Sequence, residues 1–158
     1  MKIPRRRRLE RKTDYVARFS FLKSKKPRIA ARKTNKYIIA QIVETRIAQD
    51  KTIVGITSKY LLGKGWPKDK EGSLKSLPAA YLTGYALGKM AIHKKIKSAI
   101  YDMGMHRNVH GSRLFAFLKG AIDAGLEIPH SEESLPTEEH LNKNEKLKGL
   151  IEKVKEKL

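Results

Sequence analysis

The segment Tyr37 to Glu44 is apolar on both sides of an extended chain, and few positions in a folded protein accept such a strand. Ile38, Ala40 and Ile42 alternate with Ile39 and Val43, so both faces need cover and the strand belongs in the interior of a sheet shielded on two sides. Arg28 to Lys33 precedes it across the turn Thr34-Asn35-Lys36, which makes an antiparallel hairpin, and Thr52 to Ser58 follows as a third strand. A fourth, Lys97 to Met103, comes after a helical segment. A helical crossover puts such a strand parallel to a neighbour. The fold class that follows is α/β: a mixed sheet, with an antiparallel hairpin, a third strand and a parallel crossover strand, flanked by helices.

The helices are marked by their ends. Thr13 stands as N-cap of a short helix with Tyr15, Phe19 and Leu22 on one face, stopped by Pro27. Ser76 precedes Pro78 as a cap precedes a first-turn proline, predicting a helix to about Lys94. Ala80, Gly84 and Gly88 fall on one line of that helix, a stripe that admits a close backbone; a strand beneath the helix is the favoured occupant, with an RNA backbone as the alternative. Ser112 starts a helix with Phe115, Leu118 and Ile122 at core spacing, closed by Gly125. Between strand three and Ser76, residues 59–75 have loop composition, with Trp66 as anchor. From Asn144, Leu147, Leu150, Ile151, Val154 and Leu158 recur at helical spacing, fitting either an amphipathic docking helix or a solvated charged tail.

Charge divides the chain into three parts. Residues 1–36 hold fifteen Lys or Arg against Glu10 and Asp14, which is thirteen of the formal net +19. Confined like charges repel unless a polyanion neutralises them, and nucleic acid is the most abundant one. Residues 1–12 have too few apolar side chains to bury and are expected to form a disordered basic arm. Residues 13–130 then form the α/β body, and 131–158 an acidic linker with an amphipathic tail; residues 121–142 contain six acids and no Lys or Arg.

Several function classes fail on composition. Zero cysteines remove disulfides and thiolate metal sites. No phosphate-cradling loop, dinucleotide pattern or nucleophile elbow is present, so no cofactor and no small-molecule substrate are expected. No apolar stretch approaches a membrane span, and the arm lacks the apolar anchors of a membrane-surface segment. The element order also occurs in ribonuclease H-like folds, which makes a metal-dependent nuclease using Asp102 and His106 the enzyme alternative. Two-metal hydrolysis needs converging carboxylates, yet the first strand supplies Arg32 and Lys33 where an acid would stand. His106 and His110 have the spacing of a helical zinc pair, but Arg107 sits where a zinc protease would have its Glu, and glycines at 104 and 111 argue against a helix there. Hydrogen bonding to RNA or stacking on it suits these imidazoles better, with Arg107, Ser112 and Arg113 beside them.

Five segments in order carry a resemblance. Lys26-Pro27-Arg28, Arg32-Lys33-Thr34-Asn35, Ile39-Ala40-Gln41-Ile42, the run from Pro78 to Gly84 and the run from Leu118 to His130 resemble the archaeal form of the large-subunit ribosomal protein L-eighteen family, over about residues 5–136. The resemblance implies a non-enzymatic α/β body in the central protuberance, binding 5S rRNA with 23S rRNA and neighbouring large-subunit proteins close by. It also implies RNA contacts in the basic N-terminal region, at the first hairpin and in loops at one end of the sheet. On this chain those are Arg5, Arg6, Arg7, Arg8, Arg11, Lys12, Arg18, Lys25, Lys26, Arg28, Arg32, Lys33, Asn35 and Lys36, with Lys59, Lys64 and Lys75 in the basic loop. His106, Arg107, His110, Ser112 and Arg113 complete the set, and Asp102 takes a local pairing role. Arginine forks engage two phosphate oxygens at once, so Arg5 to Arg8, Arg28 and Arg32 are the expected fixed contacts.

Overall fold

The computed structural model describes residues 3–46, 49–142, 147 and 149–158. Helix α1 (Arg6–Leu9) is one turn, and α2 (Tyr15–Lys23) follows it. Strands β1 (Arg28–Lys33), β2 (Ile38–Arg46) and β3 (Gln49–Thr57) form an antiparallel meander. Two short 3-10 helices, Ser58–Lys64 and Lys68–Ser73, lead to α3 (Leu77–His93), β4 (Ile100–Asp102) and α4 (Arg113–Asp123). A 3-10 turn at Glu132–Ser134, α5 (Glu138–Asn142) and α6 (Leu150–Lys155) complete the chain.

The sheet order is β3-β2-β1-β4, with β4 parallel to β1 as a helical crossover requires. Ile29 faces Ile42 and Ala31 faces Ala40, and these, with Ile38, Val54 and Ile56, are buried under α3 and α4. The strand β2 is therefore interior to the sheet, but the two-sided cover expected for it is not found. Both long helices lie on one face. The opposite face presents Arg28, Ala30 and Arg32 beside Val43, Gln41 and Ile39, and Gln41 is exposed. On that face Val43 is buried and Ile39 half-buried.

The small-residue stripe does admit a close backbone, and it belongs to a helix instead of a strand. A Cβ on Gly84 would sit 1.9 Å from the Phe117 carbonyl oxygen, and one on Gly120 2.0 Å from that of Tyr81. Helices α3 and α4 thus cross with their backbones touching at two reciprocal glycines.

Several local expectations shift. Asp14, not Thr13, caps α2, its Oδ1 accepting from the amides of Val16 (2.9 Å) and Ala17 (3.1 Å). Thr13 Oγ1 accepts from Arg7 Nε instead. Ser76 caps α3 through the Ala79 amide, as expected, whereas the Ser112 hydroxyl makes no cap bond to α4. The presumed loop at 59–75 is largely 3-10 helix; Trp66 is buried within it and donates Nε1–H to the Lys70 carbonyl at 3.1 Å. The arm, expected to lack structure, takes one helical turn at Arg6–Leu9 with no buried residue.

Of the two readings for the tail, the structure has the docked one. Leu147 and Val154 are buried in the main core and α6 packs on α3. Residues 144–146 and 148, part of the helix expected from Asn144, lie outside the described residues. Lys155 Nζ lies 4.8 Å from the Tyr85 ring centroid and donates to the Tyr81 hydroxyl at 3.2 Å. That hydroxyl donates to Asp123 Oδ2 at 2.7 Å. Burial, with Asp123 as acceptor, pushes the Tyr81 pKa well above the phenol range, so the hydroxyl stays a donor.

Candidate nucleic-acid interface

The parallel pairing of β1 and β4 brings their C-terminal ends to one edge of the sheet, where the β1–β2 turn and the start of α4 also lie. There Lys33, His106, Arg107, Ser112 and Arg113 line one open cleft with Leu77 and His140. Segments some seventy residues apart in sequence are thus joined, as the Lys33 amide bonding to the His106 ring shows directly. Asn35 and Lys36 project from the adjoining turn, which Thr34 closes by accepting from the Tyr37 amide at 2.9 Å. Lys59, just after β3, is exposed, while Lys64 and Lys75 are half-buried, Lys64 lying over the Tyr60 ring.

A second cationic group occupies the other end of β1, about 16 Å away along the strand at ~3.3 Å per residue. Arg5, Arg7, Arg8 and Arg11 border a concave surface that also takes in Arg18, Phe19 and Asp50. The arm side chains from Ile3 to Lys12 are all exposed. Arg5 lies over the Tyr15 ring at 4.7 Å, and Arg6 and Lys12 share Glu10. Lys25, at φ 56°, and Lys26 sit exposed in the link to β1. Of the face predicted for α2, Phe19 is 69% exposed and Tyr15 and Leu22 are half-buried, so that face is not buried in the core.

Three arginines expected to reach RNA are committed to the protein itself. Arg28 is buried, donating Nη1 to Asp102 Oδ2 at 3.1 Å and Nη2 to Asp50 Oδ2. Arg18 Nη2 bonds the same Asp50 oxygen at 3.0 Å. Arg32 donates to the Ala31 and Asp102 carbonyls and to Asp102 Oδ1. A guanidinium whose charge is already matched by a buried carboxylate is a poor phosphate ligand. Arg28 is therefore corrected from RNA contact to structural residue, and Arg18 and Arg32 keep only their outward edges for a ligand.

The same network closes the nuclease alternative. Asp102 is 4% exposed and receives Arg28, Arg32 and the Gly104 amide (2.7 Å), leaving its carboxylate facing cations rather than a metal site. Among the described residues no three or more His, Asp or Glu side chains converge to hold a metal. Asp50, which sequence reasoning missed, ties α2 to the sheet. Burial pushes its pKa up, but hydrogen bonds from Thr45 and Arg18 and the charges of Arg28 and Arg18 outweigh this, so the net value lies below the ordinary 3.8. Its stabilisation is present above the ordinary value and lost as pH falls through the depressed one. No local pattern marks Asp50, because its partners come from other elements.

The histidines also differ from expectation. His106 Nε2 accepts from the Lys33 amide at 3.2 Å, so this nitrogen is engaged by protein as an acceptor, not offered to RNA as a donor. Burial, together with Lys33 and Arg32, lowers its pKa from the ordinary 6.5. His110 Nδ1 lies 3.3 Å from the Glu133 carbonyl and its ring is tilted against Phe115, which attaches it to the following segment.

A family model described as "Ribosomal large subunit proteins 60S L5, and 50S L18" matches residues 1–101 and 93–131. The chain belongs to this family. It is similar to the large ribosomal subunit protein uL18 of Aeropyrum pernix, at 48% identity over 89% of this chain and 64% of that protein. The uL18 protein of Korarchaeum cryptofilum is 44% identical over 98% of this chain and 77% of its own length. That of Methanoculleus marisnigri is 48% identical over 88% and 77%. Family membership makes this a structural, non-enzymatic protein of archaeal ribosomal type, located with the ribosome in the cytoplasm. The chain spans less than two thirds of the Aeropyrum relative. No helix among the described residues is long and apolar enough to cross a membrane.

Proposed function

We propose that the chain binds 5S rRNA and helps attach it to 23S rRNA in the central protuberance, next to neighbouring large-subunit proteins. The observation carrying this is the exposed cationic surface: the arm at one end of β1, and Lys33, Lys36 and Arg107 at the other. Spacing the two groups along a rigid strand suits a folded RNA, whose phosphates are held at fixed distances. Folded RNA is recognised mainly by shape, 2′-hydroxyls and exposed loops, so positioning of charge matters more than base reading. Of the residues named from sequence, Arg5 to Arg8, Arg11, Lys12, Lys25, Lys26, Lys33, Asn35, Lys36, Lys59, Arg107 and Arg113 form the contact set, with Lys64 and Lys75 at its margin.

Filter binding to purified 5S rRNA, against an unrelated folded RNA of equal length, tests the assignment. At about 0.15 M salt the expected result is at least tenfold preference for 5S rRNA. Equal affinity for both RNAs would reduce the protein to a nonspecific polycation.

A further inference from the structure

The pairing between β1 and β4 stops before β1 does. Ala30 faces Asp102, the last residue of β4, and Ala31, Arg32 and Lys33 run past it. Two side chains take the places that a longer strand would have supplied. Arg32 Nη1 donates to the Ala31 carbonyl at 2.8 Å and to the Asp102 carbonyl at 2.7 Å, closing the acceptor side of the ladder. The His106 ring accepts the Lys33 N–H, closing the donor side. Gly104 makes room for this: at φ 63° its amide meets Asp102 Oδ1, and a Cβ there would lie 2.7 Å from Arg32 Cζ. The loop bearing Arg107 is thereby fastened to the last residue of β1.

We propose that Arg32 and His106 are positioning residues, a side-chain cap on the β1–β4 ladder that holds Lys33 and Arg107 at a fixed spacing for neighbouring RNA phosphates. This rests on the RNA-binding reading of the same surface and changes the role of both residues within it. The cap needs a neutral imidazole, because a protonated Nε2 cannot accept from an amide. Burial first, then the charges of Lys33 and Arg32 from β1, lower the His106 pKa and so favour the neutral form; Arg107 on its own loop, Arg113 from α4 and His140 from α5 are the other charged or titratable groups lining the cleft. No carboxylate lines that cleft among the described residues. With the folded pKa below 6.5, the cap is complete above that pH and is lost as pH falls through the lowered value.

The test compares His106→Leu, which removes the acceptor, with His106→Gln, whose side-chain oxygen restores one. Affinity for 5S rRNA is read across a salt series and amide hydrogen exchange is read at Lys33. His106→Leu is expected to weaken binding about fivefold and to flatten the salt dependence by roughly 0.7 per cation displaced, with Lys33 protection lost. His106→Gln should recover both. A loss in His106→Leu with unchanged salt slope and unchanged Lys33 protection would make His106 a direct RNA contact and overturn the proposal. In the unsubstituted protein, Lys33 protection should fall as pH drops below 6.5 while Ile29 and Ala31 stay protected; a pH-independent Lys33 amide would equally overturn it. If 5S rRNA shows no preference at all, the partner assignment fails, and the two exchange measurements still decide whether the cap exists.

Discussion

Asp102→Ala is expected to cost about 3–5 kcal/mol of stability, the range for removing one member of a buried ion pair. Asp102 is buried with Arg28 on one oxygen and Arg32 and the Gly104 amide on the other. Alanine would leave Arg28 buried with only Asp50, and would take away the partner of Arg32 Nη2 and the acceptor of the Gly104 amide together, while Arg32 Nη1 keeps its backbone carbonyls. Because β4 has three residues and, among the described residues, its one strand partner is β1, the Asp102 network is what holds its C-terminal end. Chemical denaturation of Asp102→Ala, Arg28→Leu and the double variant measures the effect. The double variant is expected to be less destabilised than the sum of the singles, by about 1–3 kcal/mol, since removing both charges avoids an unmatched buried one. Strict additivity would mean that Arg28 and Asp102 are not energetically paired.

A comparable loss is expected from adding a single methyl group at the helix crossing. Gly84→Ala would drive Cβ to 1.9 Å from a backbone oxygen of α4, and Gly120→Ala to 2.0 Å from one of α3. Backbone carbonyls cannot rotate away as a flexible side chain would, so the helices must separate and unseat the core beneath them. Overpacking a well-packed core typically costs about 1–3 kcal/mol; with backbone on both sides of the contact the expectation here is ~4 kcal/mol, lowering Tm by roughly 10 °C. Gly63→Ala is the control, since nothing lies within 4 Å of its added Cβ, and its stability should change by less than about 0.5 kcal/mol. Thermal melts of the three variants check this, and a Gly84→Ala protein as stable as Gly63→Ala would refute the close crossing.

What the sequence disclosed, and what it withheld, follows from how far each signal reaches along the chain. The bounds of β1 were legible because Pro27 and Thr34-Asn35-Lys36 punctuate it, and the start of α3 because Ser76 and Pro78 mark it. The N-cap of α2 slipped by one because Thr13 and Asp14 are both capping residues, and only geometry chooses between them. The second face of the sheet was misjudged from β2 alone. Arg28, Ala30 and Arg32, spaced two apart on the neighbouring strand, already indicated a charged face, but the signal needs the pairing register to be read. Likewise the glycine stripe on α3 announced a close approach without saying of what, and its partner, Gly120, carried the answer thirty-six residues later. The cationic residues were visible individually. Their division into free contacts and buried structural partners depends on Asp50 and Asp102, which reach them only through tertiary pairing.

The central claim is that the exposed arm neutralises phosphates of a structured rRNA while the α/β body holds it in place. The most direct measurement is the salt dependence of 5S rRNA binding by the unsubstituted protein and by a variant with Arg5, Arg6, Arg7 and Arg8 all replaced by glutamine. These four side chains lie outside the core, so the fold should be unaffected. The account predicts that the slope of log affinity against log salt falls by about 3 in the variant, at roughly 0.7–0.9 per phosphate released. An unchanged slope, with affinity retained, would contradict it.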